Sequence, residues 1–142
     1  MNRDDLVLAA LSAGGVGASY SPVQVQKLLF LIDREAANLV GGPHFSFRPY
    51  DYGPFDSSVY TEIERLRDRG LAEIVISGNY RRYLLTERGF QAGAQQLEHL
   101  SPQVTAYLHQ LAAWVRSLSF NQLVAAIYNR YPDMKVNSVF QG

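Results

Sequence analysis

The sequence predicts a mostly helical α+β fold: a winged-helix-like unit with a small antiparallel sheet, carrying a C-terminal helical extension. Three observations lead there. Apolar residues recur at helical spacing behind recognisable caps, two strand-like runs flank Ser77-Gly78-Asn79, and the last third shows helix starts with no strand pattern. A chain of 142 residues has the length of one domain. Folding at that length removes roughly 70% of the unfolded surface, enough for one core without covalent staples. The expected organisation is a single domain, 1–142, with the winged-helix-like unit in 1–98 and the helices of 99–142 packed on it.

The first helix is expected over Asp4–Ala13, with Leu6, Val7, Ala10 and Leu11 on one face, broken by Gly14, Gly15 and Gly17. Ser21-Pro22-Val23-Gln24 starts the second. Ser21 caps, Pro22 suits the first helical position, and Gln24 completes a capping box. Val25, Leu28, Leu29, Ile32, Ala36 and Leu39 carry its apolar face to about Leu39, where Gly41-Gly42 stop it.

Phe45, Phe47 and Pro49 alternate with Ser46 and Arg48, the pattern of a short half-buried edge strand. Tyr50-Asp51-Tyr52-Gly53-Pro54-Phe55 is an aromatic turn. Asp56 or Ser57 caps a third helix, Ser57–Arg69, with Val59, Ile63 and Leu66 inside. Leu71–Ile76 and Tyr80–Leu85 form a hairpin, and Thr86 caps the helix that follows. Ser101-Pro102 opens a helix to about Arg116. Ser119-Phe120-Asn121-Gln122 is a second capping box, starting a helix that ends at Tyr131 before Pro132. The expected core comprises Leu11, Val25, Leu28, Leu29, Ile32, Phe47, Ile63, Leu66, Leu84, Leu111, Trp114, Leu123 and Ile127.

Composition narrows the function classes. Thirteen Lys plus Arg balance thirteen Asp plus Glu, and residues 1–86 hold nine basic against ten acidic. A dedicated DNA-binding domain is usually basic. No cysteine is present, which removes disulfides, thiol catalysis and the common structural zinc sites. The N-terminus lacks a signal peptide's apolar stretch, and no apolar run approaches the ~20 residues of a membrane span. A cytoplasmic protein without membrane association is expected.

The residues offer little chemistry. His44, His99 and His109 are not spaced as metal ligands. Glu62 and Glu64, two apart on a helix, point to different sides. No nucleophile elbow or phosphate loop occurs. The expectation is a non-catalytic protein with no metal and no cofactor.

Two groups remain as candidate sites. Tyr50, Tyr52, Pro54 and Phe55 belong to a rigid aromatic turn, material for a protein interface. Arg65 and Arg69 on the third helix, with Tyr80, Arg81 and Arg82 at the wing, would serve the alternative, a winged-helix transcriptional regulator that binds DNA. Glu62, Glu64 and Asp68 on the same helix oppose that alternative by repelling phosphate.

Gln26-Lys27-Leu28-Leu29-Phe30-Leu31, then Tyr52-Gly53-Pro54-Phe55, a third helix ending Arg69-Gly70-Leu71, and a late Tyr131-Pro132 with Asn137-Ser138 after it, resemble the Panacea (SocA-like antitoxin) domain family. The likeness is closest to its YwgA-like relatives and covers about residues 20–140. Phe55 stands where the antitoxin branch tends to carry valine. The resemblance implies a non-catalytic regulatory domain that binds a protein partner, in some members a toxin encoded nearby or a protein passed to a protease.

Overall fold

The computed structural model describes residues 1–141. Its elements run α1 (Arg3–Ser12), β1 (Ser19–Tyr20), α2 (Pro22–Glu35), β2 (Arg48–Tyr50), β3 (Gly53–Phe55), α3 (Ser58–Asp68), β4 (Ala72–Ser77), β5 (Tyr80–Leu85), α4 (Glu87–Glu98), α5 (Pro102–Ser117) and α6 (Phe120–Arg130). The fold is α+β and mostly helical. An antiparallel sheet in the order β1-β5-β4 closes the winged-helix-like unit, and β2 and β3 pair as a separate hairpin between α2 and α3.

The short strand expected at Phe45–Pro49 stands outside the wing sheet. The third strand of that sheet is Ser19–Tyr20, which pairs with Tyr83 and Leu84. Residues 45–47 belong to no strand, and pairing begins at Arg48. Alternation alone could not separate a strand in a sheet from an apolar coil packed on a helix. Phe47 is only partly buried, edge-on to Phe30 at 5.6 Å.

Helix α1 is buried on all sides from Leu6 to Ser12, not along one stripe. Its second face is taken by α4, which approaches closely at Gly93. A Cβ there would lie 2.2 Å from the Leu8 carbonyl oxygen. Asn2 caps α1 in a full capping box with Asp5.

Helix α2 starts as its sequence signals require: Ser21 Oγ accepts from Gln24 N–H, and Gln24 Oε1 accepts from Ser21 N–H at 2.8 Å. It ends at Glu35, short of Leu39. The chain tightens into a 3-10 turn at Ala37–Leu39 and leaves Leu39 exposed. Every residue from Val25 to Ile32 is buried, Gln26 and Lys27 included. A helix enclosed all round needs partners on all faces. Here α1, β3, β5, α5 and α6 surround it.

Besides Phe47, three positions differ from the expected core. Tyr83 and Leu85 turn inward on β5, so Leu84 lies on the other face of the strand. Trp114 is 39% exposed, because Leu108, Ala112 and Val115 form the inner face of α5. Leu111 is partly buried beside them. Glu35 ties the late helices to α2: it accepts from Tyr107 and Tyr131 hydroxyls and pairs with Arg130 at 2.8 Å.

The corner after the wing follows from one threonine. Thr86 Oγ1 accepts from Gly89 N–H at 3.1 Å and donates to the Gly70 carbonyl at 2.8 Å, joining the start of α4 to the end of α3. A Gly93→Ala substitution is expected to destabilise the chain by at least about 1–3 kcal/mol, since the added methyl meets the Leu8 carbonyl as well as the buried Ser12 side chain. Denaturant titration of this variant, against Ala94→Gly on the same helix, measures it.

Candidate functional site

The β2–β3 hairpin carries the aromatic segment picked out from the sequence. Tyr50 pairs with Gly53 and Pro49 with Pro54. Asp51 and Tyr52 keep negative φ, and Gly53 at φ +103 completes the reversal, the role of a left-handed glycine closing a short hairpin loop. A Cβ at Gly53 would also lie 3.3 Å from the Tyr128 ring and 3.6 Å from Lys27 Cε.

Side chains of α2 and of Asp56, just before α3, hold the hairpin down. Gln26 Nε2 donates to the Asp56 carbonyl and Gln26 Oε1 accepts from Asp56 N–H, both at 3.0 Å. Lys27 Nζ donates to the Pro54 carbonyl at 3.2 Å. The Asp56 carboxylate caps α3 through Ser58 N–H at 2.8 Å and accepts from Ser46 N–H at 2.8 Å. Hydrogen bonds from Ser58 and Ser46 hold its carboxyl below the ordinary range, against the opposing effect of burial. At the other end, the α6 hydroxyl of Tyr128 donates to the Asp51 carbonyl, which also accepts from Val139 N–H.

The hairpin faces a groove of about 700 Å3, within the size range of ligand pockets. Tyr50, Tyr52 and Phe55 form one wall and the first turns of α2 the floor. Tyr60, Tyr80 and Arg82 stand toward the wing, with Leu118, Phe120 and Leu123 at the α5–α6 corner. The aromatic rings are in register: Tyr50 stacks on Phe55 at 5.1 Å, Phe55 meets Tyr60, Tyr60 stacks on Tyr83, and Tyr52 meets Phe120 edge-on at 5.1 Å. Tyr50 is 55% exposed and Tyr80 78%. Burial pushes the Tyr60 hydroxyl up to about 12.

Of the interface candidates, Tyr50, Tyr52 and Phe55 line this groove together. Pro54 does not: it is buried, and its carbonyl serves Lys27. The nucleic-acid candidates are dispersed. Arg65 pairs with Glu62 at 3.5 Å and Arg69 with Asp4 at 3.0 Å, while Arg67 beside them pairs with Asp68. Glu62, counted from the sequence among the carboxylates that would repel phosphate, is buried. Arg82 donates to the Ser19 carbonyl and hydroxyl, and Tyr80 turns to the groove. Arg81 stands exposed on the wing, outside every ion pair found among the described residues.

One residue at the site escaped the sequence reading. Lys27, seen there only as part of a helical motif, is 3% exposed and lines the groove floor. Burial alone pulls its ammonium down from the ordinary 10.5 to about 7. The signal was present: Lys27 falls inside the run Val25–Ile32, whose other members are apolar or Gln26.

Among the described residues no cluster of His, Asp and Glu could hold a metal ion, and no helix is long and apolar enough to cross a membrane. His44 and His109 are engaged with the backbone carbonyls of Val40 and Ala13. Comparison with protein-family models, curated proteins and solved structures finds no match.

The buried ammonium has a direct consequence for stability. Its folded-state value of about 7 lies below the unfolded 10.5. Between those values the unfolded chain holds the proton more tightly, so this group's contribution makes stability rise with pH; below 7 its full cost is felt. Lys27→Met is expected to be more stable than the parent at pH 6, by roughly 1–4 kcal/mol, the range for exchanging buried charge for apolar volume. The gap should shrink toward pH 9. Urea melts of both proteins across that range test this, and parallel pH profiles would exclude it.

Proposed function

We propose that this chain is a non-catalytic, protein-binding regulatory domain of antitoxin or adaptor type, and that the groove under the β2–β3 hairpin is where it takes hold of its partner. The observation that carries the reading is the convergence of exposed aromatic side chains from the hairpin (Tyr50, Tyr52), the wing (Tyr80) and α6 (Phe120) on one largely apolar groove. Tyrosine and phenylalanine anchors of this kind dominate binding energy at protein interfaces. The likeness of Gln26–Leu31 and Tyr52–Phe55 to the Panacea motifs supports the same reading. Those two motifs meet at this groove through the Lys27–Pro54 hydrogen bond. Binding by occlusion follows: the partner buries an active surface against the aromatic wall. Neutral net charge and the absence of a membrane-spanning helix among the described residues suit a protein working in the cytoplasm.

The alternative, a DNA-binding regulator, rests on the winged-helix-like topology and on Arg81 at the wing. Two features weigh against it. The connection between α2 and α3 runs from Ala36 to Ser57, where a DNA-reading helix-turn-helix uses a turn of roughly 3–4 residues. The arginines of α3 are also already paired with carboxylates.

The test is co-expression with the product of the adjacent reading frame, read as rescue of growth and as co-purification. Tyr50→Ala with Tyr80→Ala, both at exposed positions, is expected to weaken binding at least tenfold while leaving the melting temperature within a few degrees of the parent. Undiminished rescue and binding by the double variant would sink the groove as the contact surface. For the alternative, a salt titration of DNA affinity decides. Arg81→Ala with Arg82→Ala should flatten the slope by about two if the wing touches phosphate.

A further inference from the structure

Lys27 is out of place on structural grounds. An ammonium has three N–H donors, and among the described residues Lys27 Nζ finds one acceptor, the Pro54 carbonyl at 3.2 Å. It enters no ion pair there. The other polar side chains of α2 that reach the interior are committed. Gln26 is satisfied at both ends by Asp56. Asp33 accepts from His44 and Phe45 N–H, and Glu35 holds two tyrosine hydroxyls and Arg130. A buried cation without a counter-charge costs stability unless something neutralises it.

The surroundings of Lys27 fit an anion. It sits on the floor of an open groove whose apolar walls keep the local dielectric low, which strengthens any charge pair formed there. The first turn of α2 lines the same floor, and its dipole adds positive potential. Asp51 is the one carboxylate residue lining the groove. It is exposed at the hairpin tip and is not paired with Lys27.

We infer that the occupant of this groove is a segment of the protein partner that sets an acidic side chain, flanked by apolar ones, on the Lys27 ammonium. This inference rests on the protein-binding reading above and gives that partner a chemistry. The apolar side chains fill the space between the Tyr50–Phe55 stack and Phe120, and the carboxylate supplies the missing counter-charge. A partner segment carrying lysine or arginine at the same place is rejected, because it would bury a second cation beside the first.

Calorimetric titration of the intact protein with 4-phenylbutyrate, 4-phenylbutanamide and 4-phenylbutylamine reads the charge preference. A second pair, capped Leu-Phe-Asp-Leu-Phe and its Asn counterpart, carries the same contrast into a peptide. The acid and the Asp peptide are expected to bind at least tenfold more tightly than the amide and the Asn peptide, with no binding of the amine. Amide-proton shifts at Tyr52 and Gly53 should locate the site. In Lys27→Met the acid-over-amide preference should vanish while binding of the neutral compounds persists. Equal affinity for acid and amide, or a preference that survives in Lys27→Met, overturns the inference. Preference for phenylbutyrate without preference for the Asp peptide also overturns it, by assigning the groove to a small organic acid. These outcomes are separable from failure of the protein-binding reading, which is decided by rescue and co-purification of the intact protein and, for the groove, by the Tyr50→Ala, Tyr80→Ala variant.

Discussion

Everything at the candidate site depends on α2 being a buried helix with polar side chains on its enclosed faces. Five elements surround it, so each polar group it carries must find a partner inside the protein or remain costly. Gln26 finds Asp56, Asp33 finds His44 and Phe45, and Glu35 finds Tyr107, Tyr131 and Arg130. The first two bonds order the connection between α2 and α3. That connection has only six residues in strands, β2 and β3, and would otherwise have little to fix it. The third fastens the C-terminal helices to the winged-helix-like unit. The same helix thus folds the scaffold and builds the groove.

The hairpin that results replaces the short turn of a DNA-reading helix pair with an aromatic projection. It separates α3 from α2 in sequence while both still pack in one core. The charges of α3 follow suit: its arginines lie against Glu62, Asp68 and Asp4, which leaves little of their positive potential for phosphate. Surface pairs of this kind add little stability; their effect is on what the surface attracts. Four of the exposed aromatic side chains, Tyr50, Tyr52, Tyr80 and Phe120, converge instead on the groove between the hairpin, the wing and α6.

Much of the fold was legible because its signals are local. Caps at Ser21, Thr86, Ser101 and Ser119 lie where the sequence places them, since a cap needs only a side chain and the amide two or three residues on. The turn at Gly78-Asn79 fixed β4 and β5 for the same reason. The misses are tertiary. Ser19–Tyr20 is too short to announce a strand and exists because β5 offers it an edge. Trp114 looked like core by size, yet it sits one residue before Val115 on α5, which turns it about 100° away from the inner face of Leu108, Ala112 and Val115. Tyr83 took the inward place expected of Leu84 because pairing with β1 and β4 sets the register, and a shift of one residue exchanges the two faces. The aromatic part of the site could be read from composition at Tyr50–Phe55. Its cationic part could not, because amphipathic period assigns a lysine to solvent by default and only the enclosure of α2 on every side overrules it.

That lysine bears on how the groove should be understood. A helix position that is 3% exposed is ordinarily filled by an aliphatic residue, and methionine would match the stem of Lys27 in length without the charge. The Pro54 carbonyl does not require an ammonium either, since a single neutral donor would satisfy it. What a neutral residue cannot do is attract a negative group into an apolar groove. Buried charges of this kind are concentrated where proteins bind or react, because stability lost in the free state is recovered when the complementary charge arrives. The aromatic wall gives the groove adhesion to any apolar surface. Lys27 gives it a criterion for choosing among them.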